Sequence, residues 1–121
     1  MLRSEAGRSN PDIERAIKDL LAEDANFDRN ENRSAHREHL VRHLRVEIRE
    51  FEQVIDAVSR NISVAGIGII TDQDIASGTI AVLGIERLKG PTTKIIAECR
   101  WSRNYGENWF ISGWKFQNLK R

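Results

Sequence analysis

At 121 residues the chain has the length of one domain and can bury a core without metals or disulfides. Its 19 basic and 18 acidic side chains nearly cancel, so no global field argues for nucleic acid or a membrane surface, and any anion site must come from local clustering. Cys99 is the only cysteine, which excludes an internal disulfide; the apolar runs fall far short of the roughly 20 residues of a membrane span, and no signal-like stretch opens the chain, so a cytoplasmic protein is expected.

The first element carries helix signals. Ser9 or Asn10 can cap it, Pro11 suits the first helical position, and Asp12 and Glu14 fall in the first turn. Ile13, Ile17, Leu20 and Leu21 follow at helical spacing and give an amphipathic helix that should fade by Asn26. The polar run from Asn26 to Asn32 reads as a linker.

Residues 40–58 carry two patterns at once. Leu40, Leu44, Ile48, Phe51, Ile55 and Val58 recur at helical spacing, with no proline or glycine between them. Leu44, Val46 and Ile48 also alternate with Arg45, Glu47 and Arg49, as a half-buried strand would. Periodicity alone favours a long helix here. From residue 62 the chain reads as strands. Ile62 to Ile70 is β-branched and contains Gly66 and Gly68, and Ala81, Leu83 and Ile85 alternate with their neighbours. After a turn at Lys89-Gly90-Pro91, Ile95, Ala97, Cys99 and Trp101 are expected on one face. Asn104 to Asn108 reads as a hairpin loop, and Trp109 to Phe116 as a closing aromatic strand. Short strands at this spacing predict a mainly β fold, a small antiparallel barrel behind an N-terminal helix.

Two short motifs stand out. Arg33 and Arg37 have the spacing R-x-x-x-R, and Asn61, Ser63 and Gly66 the spacing N-x-S-x-x-G. In this order, followed by strands and by Gly113-Trp114-Lys115-Phe116 as a closing G-x-x-F, they resemble the PilZ family, over roughly residues 33–121. The resemblance implies a split-barrel type of β-barrel domain at 33–121, preceded by the helix and linker of residues 1–32. It also implies that residues 40–49 and 53–60 are strands joined near Glu50-Phe51-Glu52, against the helical periodicity. Its implied ligand is cyclic di-GMP, with Arg33 and Arg37 on phosphate and guanine and Asn61, Ser63 and Gly66 at a guanine-recognising turn. Trp101 lies near a position where some members of the family place an aromatic residue against a guanine.

These residue types suit that ligand. A guanidinium offers a planar fork of donors that matches phosphate oxygens or the O6/N7 edge of guanine, and its flat face stacks on a base. Asn61 and Ser63 supply short polar groups for a guanine edge or for bracing the turn. Gly66 permits a positive φ or a close approach by ligand. Arg42 and Arg45 stand as rival anchors, since Arg37 and Arg42 nearly repeat the motif with one extra residue. The bland readings are a solvated charged loop at Arg33 and Arg37, a plain turn at Asn61–Gly66, and barrel packing for Trp101. Trp109, Trp114 and Phe116 read as core or interface, and Cys99 as a small buried hydrophobe.

His36, His39 and His43 would cluster only on a helix, and a strand disperses them, so no metal is expected. No Gly-rich phosphate loop, G-x-S-x-G or H-E-x-x-H occurs. The chain therefore reads as a non-enzymatic cyclic di-GMP receptor that needs no cofactor and signals to an effector protein through ordering of its arginine loop. A PilZ-like adaptor without nucleotide binding is the alternative. A nucleic-acid-binding barrel is disfavoured by the near-neutral charge, and monomer and homodimer both remain open.

Overall fold

The computed structural model describes residues 11–27 and 38–120. Helix α1 runs Pro11–Phe27, with Asp12 and Glu14 in its first turn, where carboxylates favour the helix dipole. The proposed caps Ser9 and Asn10 lie outside the described residues. Ile13, Ile17 and Leu20 are buried in the same apolar cluster as the barrel strands, and Leu21 packs at its edge. The apolar stripe of the helix thus covers the core instead of facing water.

Residues 43–48 and 53–62 are strands, so the long helix that periodicity favoured over 40–58 does not form. Strand β2 (His43–Ile48) leads through a 3-10 turn (Arg49–Phe51) into β3 (Gln53–Ile62), and the two pair antiparallel from His43 with Val58 to Ile48 with Gln53. Leu44, Val46 and Ile48 point inward, as do Ile55 and Ala57. Leu40, Leu44 and Ile48 are spaced by four, an even number, so they satisfy a strand as well as a helix. Phe51 and Val58 break that evenness, and both are exposed, at 67% and 41%. The reversal rests on Glu52, whose φ of 51° places it in the left-handed region without a glycine to announce it.

The remaining strands are β4 (Gly66–Thr71), β5 (Ile80–Ile85), β6 (Thr93–Gly106) and β7 (Trp109–Leu119). Around the barrel the order is β3-β2-β5-β6-β7-β4, with β4 pairing back to β3, so the sheet closes and leaves no free edge there. The loop expected at Asn104–Asn108 is shorter than its composition suggests. Both strands continue until Gly106 pairs with Trp109, and only Glu107 and Asn108 turn, with Asn108 at φ 68°. A two-residue strand, β1 (Glu38–His39), lies on β3, pairing Glu38 with Ile62 and His39 with Asn61.

Cys99 is fully buried on β6, and burial pushes its thiol up to about 11. Since the thiolate is the reactive form, the native protein should resist iodoacetamide at pH 8 and become alkylated only when unfolded. Mass spectrometry of labelled protein with and without urea checks this, and rapid native labelling would refute the buried placement. Among the described residues no helix is long and apolar enough to cross a membrane.

Candidate functional site

The site is built on four neighbouring strands. Asn61 of β3 pairs with Gly68 of β4, Gly68 with Gly113 of β7, and Gly113 with Trp101 of β6. These residues form one row across the outer face of the barrel, about 14 Å from end to end at the usual strand spacing. The two central glycines leave a trough. The Asn61 amide lies over one of them, its Oδ1 2.7 Å from where a Gly68 side chain would begin, and the Trp101 indole lies over Gly113. The trough opens into a cleft of about 350 Å³ whose lining includes Asn61, Ser63, Gly66 and Trp101.

Two irregularities set up this face. Register shifts occur between Ser59 and Asn61 on β3 and between Cys99 and Trp101 on β6. In each, one arginine is the extra residue, so Arg60 and Asn61 both face outward, and so do Arg100 and Trp101. This corrects the simple alternation read from the sequence. Ile95, Ala97 and Cys99 are buried, whereas Trp101 is 41% exposed on the opposite face. The β3 shift is held from inside by Ser59. Its buried hydroxyl donates to the Leu40 carbonyl and accepts the Arg42 amide N–H at 2.8 Å.

Ser63 braces the turn at the cleft's lip. Its hydroxyl accepts the N–H groups of Ala65 (3.1 Å) and Gly66 (3.3 Å), and its own N–H donates to the Gly66 carbonyl at 2.9 Å. The hydroxyl proton is left to donate elsewhere. Gly66 does not have a positive φ. What demands glycine there is the carbonyl of Trp114 on β7, which any side chain at residue 66 would overlap. The close approach is made by the protein's own backbone.

Arg33 and Arg37 lie outside the described residues. Glu38, next in sequence to Arg37, pairs with Ile62, one residue before Ser63, so the chain following the arginine motif joins the barrel at the cleft. Sequence reasoning missed Arg60, Arg100 and Lys115 as lining residues, and Gly68 and Gly113 as the floor. Arg60-Asn61 and Arg100-Trp101 are adjacent pairs that interrupt alternation, which is the one local sign of a bulge. The glycine floor has no local sign, because it exists only once the strands are in register.

The cleft is basic and aromatic. Arg100 and Lys115 have no carboxylate within ion-pair reach among the described residues, so their charge is available to an anion. The Arg103 guanidinium lies 5.0 Å from the Trp101 ring centroid, and that of Arg60 5.7 Å from Tyr105. Of these residues Arg60, Arg100, Lys115 and Trp101 line the cleft, and they suit a ligand with phosphate groups and planar bases. His43 sits elsewhere, with Nδ1 3.1 Å from Glu86 and Nε2 3.8 Å from Asp56, and His36 lies outside the described residues. Among the described residues no group of three potential metal ligands comes together.

A family model described as PilZ domain matches residues 31–121. No curated protein matches the chain.

Proposed function

The chain belongs to the PilZ domain family, a family of cyclic di-GMP receptor domains that bind and adapt instead of catalysing, and from that membership we propose that it binds cyclic di-GMP in the cleft of β3, β4, β6 and β7. The observation that carries the proposal is the convergence of Asn61, Ser63, Gly66 and Trp101 on one cleft, although they come from three strands and a turn. A guanine fits the trough between Asn61 and Trp101. The Asn61 amide and Ser63 hydroxyl face its hydrogen-bonding edge, and the indole offers an aromatic surface.

Arg33 and Arg37 supply the clamp on phosphate and guanine. Support comes from the pairing of Glu38 with Ile62, which ties the chain after Arg37 to the strand that carries Asn61. Closing the arginine loop over the nucleotide would change the surface beside the cleft, and an effector protein would read that change.

Titration calorimetry with cyclic di-GMP tests the reading. Charged hydrogen bonds contribute about 1.5–3 kcal/mol each, so Arg37→Ala should weaken binding roughly tenfold or more. No heat with the unaltered chain at about 100 μM nucleotide, the millimolar-to-micromolar range of weak binding, would favour an adaptor that works without the nucleotide. Unchanged affinity in Arg37→Ala would remove that residue from the site.

A further inference from the structure

Arg60 belongs to neither motif, yet the bulge on β3 aims it over the outer face of the barrel. There its guanidinium lies over the ring of Tyr105. Tyr105 is on β6, three strands away in the order β3-β4-β7-β6, so the two side chains reach toward each other across β4 and β7. Between them lies Ile111 of β7. It pairs with Ile70 and points outward, but it is only 7% exposed. Ile111 and Trp101 line the cleft. Arg60 also lines the cleft itself.

The hold on Arg60 is weak. Tyr105 is 49% exposed, and a cation over an exposed ring gains far less than a guanidinium bridging phosphate oxygens. No carboxylate competes for Arg60 among the described residues. The backbone beneath it is fixed by Ser59, so the arginine can change partner by rotating its own side chain while β3 stays in place.

We propose that Arg60 is a third arginine of the nucleotide site, one that contacts a phosphate and whose stacking on Tyr105 competes with that contact. This rests on the cyclic di-GMP reading above. It makes Tyr105 a brake on affinity and links occupancy of the cleft to the cover on the aromatic tip of the β6–β7 hairpin.

The competition has a sign that a packing role does not share. In titrations of the full chain with cyclic di-GMP, Arg60→Ala should weaken binding about fivefold. Tyr105→Leu, which keeps bulk but removes the ring, should tighten it about two- to threefold, because less of the arginine is withheld. The double variant should match Arg60→Ala alone, since the brake has nothing left to hold. Tyr105 is the only tyrosine, so 3-fluorotyrosine labelling gives a single ¹⁹F resonance. Saturating nucleotide should move that resonance in the direction that Arg60→Ala moves it, and should add little in the Arg60→Ala protein. Unaltered affinity in Arg60→Ala, or tightening by Tyr105→Leu that persists without Arg60, overturns the proposal while leaving the nucleotide site standing. Absence of binding by the unaltered chain would take down both, and the first titration shows it.

Discussion

Gly66→Ala should lower the stability of the protein by about 3 kcal/mol, the upper part of the range for forcing extra atoms into a packed site. A side chain at residue 66 would overlap the carbonyl oxygen of Trp114, and that carbonyl cannot retreat. Strand β7 is held on its other side by β6, and the buried Trp114 and Phe116 anchor it in the core. The Trp114 indole N–H donates to the buried Ser112 hydroxyl at 2.8 Å, and the Phe116 N–H donates to Ala65 at 3.0 Å. Relief must therefore come from opening the β4–β7 pairing, which is one seam of the closed barrel. Urea unfolding should show a lower midpoint, and heating a midpoint reduced by roughly 10 °C or more. A change under about 0.5 kcal/mol, the usual scatter of neutral surface changes, would mean that the seam has slack. The glycine of the N-x-S-x-x-G spacing would then need a ligand to explain it.

This result would also reassign part of what the motif encodes. Asn61 projects a polar group into the cleft, and Ser63 spends its acceptor capacity on the N–H groups of Ala65 and Gly66. Gly66 lets two strands meet. A motif read as one recognition device thus divides into a residue facing the cleft, a residue that shapes the turn, and a residue that closes the barrel.

How much of this was legible depends on how local each feature is. Helix α1 was readable because Pro11, the acidic first turn and the Ile13–Ile17–Leu20 stripe are all local signals, and they agree. The β2–β3 hairpin was not readable from periodicity, because a spacing of four serves both structures and the turn hides its positive φ at Glu52. Family resemblance settled it where pattern could not. Trp101 was counted in one alternating set with Ile95, Ala97 and Cys99, and it lies on the opposite face, since counting by twos fails at a bulge. Arg60 escaped for the same reason. Gly68 and Gly113 could not be found at all. They are 45 positions apart in sequence and become a floor only through the pairing of β4 with β7.

Gly113→Ala separates the floor from the fold, because the atoms an added methyl would meet belong to a side chain this time. They are Nε1, Cε2 and Cζ2 of the Trp101 indole, which is 41% exposed and can swing outward. Alanine is also better tolerated in a strand than glycine by roughly 0.5–1 kcal/mol, which offsets part of the lost contact. Stability should therefore stay within about 1 kcal/mol of the unaltered chain in urea unfolding. Binding should not survive as well. Displacing the indole removes a stacking surface worth about 1–3 kcal/mol per base, or roughly 5- to 150-fold in affinity. Trp101→Ala should reproduce most of that loss, and combining the two should add little, because both act on the same ring. Calorimetry on the three variants decides the point. If Gly113→Ala bound cyclic di-GMP as the unaltered chain does, the indole would be a cover for the barrel and the guanine would have to sit elsewhere along the cleft.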